Sequence, residues 1–164
     1  MSHLTHNFHS RSNRTTLSTC PVHQVMDMTD MSELEDESFH VVLDKAAMDA
    51  LLSAEGDVWH PDPNLVILAH RMCQHIARIL MPQQGHHLHI SFAQPHFRKK
   101  YLLGCHYYDS HPSERKTVEC PQELEDFSHE YGWTFRYEAI QEERGCFHHF
   151  LYIMTKSTPL LVPI

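Results

Sequence analysis

A chain of 164 residues with 41% apolar residues and few glycines is expected to form one folded domain with a substantial core. Its formal net charge of −8 argues against a general nucleic-acid-binding protein, although partial protonation of its 17 histidines would cancel some of that charge. The five cysteines are scattered, no apolar run reaches the ~20 residues of a membrane span, and the polar N-terminus lacks a signal-peptide core, so the sequence predicts a cytoplasmic protein.

The chain begins with a polar segment and a short strand. Residues 1–20 have no hydrophobic period, which favours a loop or the remnant of a helix. Val22–Met28 (VHQVMDM) is interpreted as a strand that ends near Asp27. The acidic run ELEDE that follows is interpreted as a solvated loop.

The next stretch, Ser38–Leu52 (SFHVVLDKAAMDALL), combines a strand with a helix. Its nearly continuous apolar run predicts a parallel strand covered on both faces, and Ala46–Leu52 predicts a short helix. A strand that feeds a helix is half of a βαβ unit, and ligands of open α/β sheets bind at the carboxyl ends of such strands. Asp44 and Lys45 are therefore candidate ligand-facing residues.

A long helix and an alternating strand come next. Asp62 as N-cap and Pro63 at the first helical position start the helix, and Pro82 and Gly85 end it. Its buried face is predicted from apolar residues three and four apart: Leu65, Leu68, Met72, Ile76 and Ile79. In the strand HLHISFAQ, apolar side chains alternate with His87, His89 and Ser91, and the histidine side is interpreted as an outer polar face.

The last third of the chain ends in a hairpin. HFRKKYLL after Pro95 predicts a helix, and residues 106–126 an inserted loop or weak helix. The alternating strand from Trp133 and the apolar run Phe147–Met154 form an antiparallel pair. The fold class is therefore α/β: a mostly parallel sheet closed by an antiparallel hairpin, with residues 21–156 as the domain and 157–164 as a tail.

Five segments in this order resemble a known enzyme family: VMDMTDM, SFHVVLDKAAMDALL, ISFAQPHFRKK, YGWTFRYEAI and FLYIMTK. The chain resembles the S-adenosylmethionine-dependent methyltransferases that modify lysines of translation elongation factor 1-alpha. The resemblance implies part of a Rossmann-like class I methyltransferase sheet, a protein substrate and S-adenosylmethionine as cofactor. It also implies that Asp27 and Met28 contact the adenine, and that Asp44 and Lys45 border the methyl donor.

The sequence departs from the family at the turn and in its glycines. The family reads D-K-G-T-x-D-A where this chain has DKAAMDA, so that Ala46 and Ala47 replace Gly and Thr, which is expected to favour helix. The first two family strands and the glycine-rich loop that holds the methionine part of the cofactor have no counterpart. We therefore expect a truncated chain or an incomplete gene model, which an upstream exon in the full transcript would confirm.

Lysine methylation needs little acid–base chemistry, so an acidic pocket with aromatic walls is the expected design. Asp44 and Asp49 are the candidates that receive the substrate lysine, and Phe92 or His96 the candidate walls. Several of these candidates also have simpler interpretations. Asp49 would be an exposed helix residue, and Phe92 a core residue. Asp27 would cap a turn, and Lys45 would be a surface lysine.

Three functions follow. The first is a protein-lysine methyltransferase without nucleic-acid or membrane partners. The second is a catalytically inactive remnant that acts as a protein-interaction module. The third and weakest is a histidine-rich metal-binding protein, which the sequence does not favour because no familiar zinc-ligand spacing is present.

Overall fold

The fold is known from a computed structural model, which describes residues 23–54, 56, 61–104, 126–140 and 149–157. The elements in chain order are β1 (Val41–Lys45), α1 (Ala47–Leu52), α2 (Pro63–Ile79), β2 (His86–Ser91), α3 (Pro95–Leu102), β3 (Asp126–Ser128), β4 (Trp133–Ile140) and β5 (His149–Lys156). This mixture of helices and strands confirms the α/β class. The predictions for residues 1–20, for 106–125 of the predicted loop, for the turn within 141–148 and for 158–164 of the tail lie outside the described residues, whereas Asp126, the last residue of that predicted loop, begins β3.

The five strands form one sheet in the order β1-β2-β5-β4-β3. Only β1 and β2 pair in parallel; the pairs β2–β5, β4–β5 and β3–β4 are antiparallel. The C-terminal hairpin is confirmed, but the prediction of a mostly parallel sheet is wrong for the described strands. A parallel pair needs a long crossover such as the one through α2, whereas the short connection between β4 and β5 permits only antiparallel pairing.

The strand predicted at Val22–Met28 is absent from its described part. Residues 23–27 are in no strand, and Met28 and Thr29 form a turn. Among the described residues, no strand pairs with the outer edge of β1, so this segment has no neighbouring strand with which to form a ladder.

Strand β1 is buried on one face. Val42 and Asp44 point into the core, while Val41 and Leu43 on the other face are each 49% exposed. The expectation that both faces are covered is therefore wrong for the described residues. About half of each of these apolar side chains therefore remains in contact with solvent.

The three helices confirm their predictions. The Asp62 carboxylate accepts a hydrogen bond from the Asn64 backbone N–H at 2.9 Å and so caps α2, whose next residue is Pro63. Helix α2 buries the side predicted from its periodicity, with Met72 and Ile76 fully enclosed, and it ends at Ile79. Helices α1 and α3 begin and end close to their predicted positions.

The inner face of β2 carries histidines, which corrects the predicted orientation of this strand. His87 and His89 are completely buried, whereas Leu88 and Ile90 on the opposite face are only partly buried. The sheet register explains the enclosure, because each histidine lies between two inward-facing neighbours: His87 between Val42 and Met154, and His89 between Asp44 and Tyr152. The alternation of side chains along β2 was predicted correctly, but the face that is buried was not.

Candidate functional site

Asp44, the penultimate residue of β1, is a buried charged residue with two contacts. Its Oδ1 accepts a hydrogen bond from the Ala47 backbone N–H at 2.8 Å, and its Oδ2 lies 2.7 Å from His89 Nδ1. Burial acts to raise the pKa of Asp44, but the contacts with His89 and Ala47 outweigh it and hold that pKa below its ordinary value. Asp44 is therefore an ionised carboxylate that joins the start of α1 to β2.

The turn between Asp44 and α1 has a left-handed residue. Ala46 has φ 60° and ψ 12°, and its backbone N–H donates to the Ile90 carbonyl at 3.2 Å. The expectation that an alanine here extends the helix is wrong, because Ala46 lies outside it. This left-handed conformation suits a glycine, the residue of the D-K-G pattern that the sequence resembles, since only glycine adopts it without a Cβ clash.

Asp49 is buried in a hydrogen-bonded ion pair, so the reading of Asp49 as an exposed helix residue is wrong. Its Oδ1 accepts hydrogen bonds from Ser91 Oγ at 2.7 Å, from Arg98 Nη2 at 2.7 Å and from Arg98 Nε at 3.2 Å. Its Oδ2 is buried and has no hydrogen-bond partner among the described residues. Asp49 thus connects α1 to both β2 and α3.

His89 lies between the two candidate catalytic aspartates. In addition to its contact with Asp44, its Nε2 lies 3.9 Å from Asp49 Oδ1. The imidazole stacks on Tyr152, with ring centroids 5.5 Å apart and planes at 25°. The structure therefore brings Asp44 and Asp49 together through a residue that the sequence analysis placed on the outer face.

Sequence reasoning missed three members of this cluster: His89, Ser91 and Arg98. A signal was available, because the alternation of β2 puts His89 and Ser91 on one face. Parallel pairing with β1 could then have placed that face beside Asp44. The side of the sheet on which the helices pack was needed to recognise it as buried.

The proposed adenine-contacting residues lie in the turn before β1. Asp27 is exposed, and its Oδ1 accepts hydrogen bonds from the backbone N–H of Thr29 at 2.8 Å and from the Thr29 hydroxyl at 2.9 Å. These two bonds lower the pKa of Asp27. The turn-capping reading of Asp27 is confirmed, and the side chain of Met28 is buried in the core.

The remaining candidates are exposed. Lys45 is the solvent-accessible last residue of β1, paired in register with Ile90. Phe92 follows β2 and is 65% exposed, so the reading of Phe92 as core is wrong, and His96 in α3 is also exposed. Among the described residues, no hydrogen bond or ion pair connects Asp27 to Asp44 or Lys45.

The described residues contain neither a metal-ligand cluster nor a membrane-spanning helix. No cluster of three or more histidine, cysteine, aspartate or glutamate side chains in this part of the chain could hold a metal ion. No helix within the same ranges has the length and apolar character needed to cross a bilayer.

Comparison with known proteins identifies relatives of this chain. No family model matches it. It is 30% identical over 125 residues to EEF1A lysine methyltransferase 4 of Bos taurus, and 29% identical over the same length to that of Mus musculus. The match covers 76% of this chain but only 38% of each relative, so the chain spans well under half the length of these proteins. Over the matched residues, the chain is similar to these two proteins named EEF1A lysine methyltransferase 4.

Proposed function

We propose that this chain is the core of an S-adenosylmethionine-dependent protein-lysine methyltransferase, active in the cytoplasm on an elongation factor 1-alpha-like substrate. The observation that carries the proposal is its 30% identity over 125 residues to a protein named EEF1A lysine methyltransferase 4. The sheet supports it further, because β1 and β2 are parallel and joined by a helical crossover, the arrangement in which a Rossmann-like sheet binds ligands at its carboxyl edge.

In this proposal, Asp27 and Met28 bind the adenine, and Lys45 borders the donor. The exposed Asp27 carboxylate supports this role, because only its Oδ1 is bonded to Thr29 and its Oδ2 has no hydrogen-bond partner among the described residues. The exposed position of Lys45 at the carboxyl end of β1 is also compatible with a ligand-facing role. Phe92, exposed just after β2, is suited to wall the substrate channel.

The catalytic roles are assigned to Asp44 and Asp49. When bound, S-adenosylmethionine supplies an electrophilic sulfonium methyl group. Asp44 and Asp49 would lie beside the substrate amine, which would meet this methyl group as the neutral amine after its ammonium proton has passed to solvent. The unpartnered buried Oδ2 of Asp49 suits it to accept a hydrogen bond from the lysine nitrogen.

The residues present fit one end of the cofactor. Exposed carboxylate oxygens match the adenine amino group, but the five glycines of the chain, at positions 56, 85, 104, 132 and 145, form no glycine-rich loop for the methionine end. The relatives are much longer than this chain, which matches only part of them. The activity proposed here is therefore that of a whole protein, and the described site is the part related to those relatives.

Titration calorimetry with S-adenosylmethionine tests the proposal. We expect saturable binding that Asp27→Ala weakens roughly tenfold or more, the scale of one lost hydrogen bond to a charged group. Asp30→Ala is the matched control, since Asp30 is an exposed neighbour that accepts a hydrogen bond from the Ser32 backbone N–H in the same way. A folded protein that binds no S-adenosylmethionine, or equal weakening by both variants, contradicts the assignment.

A second candidate function is a non-catalytic protein-interaction module. Two features of β1 favour this function. Its outer edge pairs with no described strand, and its outer face carries the half-exposed Val41 and Leu43. A folded monomer that fails the calorimetric test but loses a binding partner on Val41→Lys would favour this function over the enzyme.

A further inference from the structure

A buried cluster at the carboxyl ends of β1 and β2 includes Asp44, Asp49 and His89. In the proposed function, His89 contacts no substrate. His89 is completely buried, yet it lies against both candidate catalytic aspartates. We propose that His89 is a positioning residue, which holds the Asp44 carboxylate and through it the turn that presents Lys45. This inference rests on the proposed function for its catalytic meaning, but not for its structural test.

The geometry gives Asp44 two fixed partners on opposite sides. Oδ2 faces His89 Nδ1, and Oδ1 accepts the first free N–H of α1, at Ala47. The intervening Ala46 is held in the left-handed conformation, which is unfavourable for a residue with a Cβ. Because that strain must be balanced by its surroundings, the Asp44 carboxylate and the hydrogen bond from the Ala46 N–H to the Ile90 carbonyl together keep this turn in place.

The charges of the cluster explain why the partner is a histidine. Two buried carboxylates, Asp44 and Asp49, meet a single guanidinium, Arg98. Unpaired buried charges are strongly destabilising, so the two carboxylates depend on polar contacts from their neighbours. Each ring nitrogen of His89 faces one of them: Nδ1 lies 2.7 Å from Asp44 Oδ2, and Nε2 lies 3.9 Å from Asp49 Oδ1.

The other titratable groups packed around the cluster are neutral. Burial lowers the pKa of His87 to about 3, so this imidazole carries no charge near neutral pH. Burial raises the pKa of the Cys73 thiol and of the Tyr152 hydroxyl, which keeps both protonated. Among the described residues, His89 is therefore the group whose two ring nitrogens face both carboxylates.

Amide hydrogen exchange of the chain itself tests the inference. We expect His89→Leu to accelerate exchange at Ala47 roughly tenfold or more while leaving Ile153, in the central strand β5, at the wild-type rate. His87→Leu is the matched control, because His87 is equally buried on the same face of β2 and packs on an aromatic ring, Trp133, but has no ion-pair contact with a carboxylate among the described residues. An unchanged Ala47 rate in His89→Leu, or equal acceleration by both variants, overturns the proposal.

A pair of polar variants decides the same question if His89→Leu does not fold. Asparagine carries its amide nitrogen near the position of Nδ1, which faces Asp44, whereas glutamine carries it near Nε2. His89→Asn should therefore keep the slow Ala47 exchange and His89→Gln should lose it. The reverse order, or no difference between the two, would contradict a role through Asp44.

Cofactor titration of the same variants gives the functional consequence. Where the wild-type protein binds S-adenosylmethionine, we expect His89→Gln to weaken binding roughly tenfold and His89→Asn to weaken it less. Equal affinities of wild type and His89→Gln would contradict a positioning role in the transferase. If the wild type binds no cofactor, the proposed function fails, while the exchange measurements still decide whether His89 holds Asp44.

Discussion

At the scale of single residues, Ala46 is the position where sequence and backbone disagree. Its φ of 60° lies in the left-handed region, where the Cβ of alanine approaches the following carbonyl oxygen. The sequence analysis treated the alanine as a helix-favouring substitution because helix propensity describes right-handed residues only. The left-handed turn is set by the hydrogen bond from Ala46 to β2 and by Asp44, neither of which local sequence contains.

We therefore expect Ala46→Gly to stabilise the protein. Relief of the left-handed strain should exceed the extra entropy that glycine loses on folding, so the free energy of unfolding should rise by about 1 kcal/mol. Urea denaturation followed by circular dichroism measures this change. Ala50→Gly, at an exposed position inside α1, is the control and should lower stability by a similar amount. A loss of stability in Ala46→Gly would show that the turn is not strained.

At the scale of elements, local sequence predicted the helices well and the sheet less well. Helix α2 is defined by signals within a few residues, namely an Asp-Pro start and apolar side chains three and four apart. The segment before β1 has the apolar character of a strand, but a strand exists only where another strand pairs with it. Its Asp27 instead caps a turn.

The capping of α2 gives a prediction at this scale. Asp62→Ala should lower the free energy of unfolding by about 1 kcal/mol, because it removes the side-chain acceptor of the Asn64 backbone N–H. Asp62→Asn keeps an acceptor at the same place and should cost much less. Thermal or urea unfolding of the two variants measures the difference, and equal losses would indicate a charge effect instead of a capping bond.

At the scale of the whole molecule, the buried histidines connect the fold to pH. His87 has a folded-state pKa of about 3, against 6.5 for an unperturbed histidine, because burial disfavours its charged form. Below pH 6.5 the unfolded state binds a proton that the folded state does not. Burial of neutral His87 thus carries no protonation penalty above pH 6.5. As the pH falls from 6.5 towards 3, the free energy of unfolding decreases by about 1.4 kcal/mol per pH unit.

His87→Leu should remove this acid sensitivity. The gap in unfolding free energy between the variant and the wild type should shift in favour of the variant by about 2 kcal/mol between pH 7 and pH 5. Leucine also replaces two ring nitrogens that have no hydrogen-bond partner in the described structure. His40→Gln, at an exposed position, serves as the control. Parallel pH profiles for His87→Leu and wild type would contradict a buried neutral His87.

The sequence alone determined the positions of the three described helices, the capped start of α2 at Asp62, the C-terminal hairpin and the methyltransferase resemblance. All of these depend on signals between residues that are close in the chain or on the order of motifs along it. The tertiary structure alone decided that His89 lies inside, between Asp44 and Asp49, with Arg98 beside them. The alternation of a strand fixes which side chains share a face, but the packing of distant helices and strands determines which face is buried.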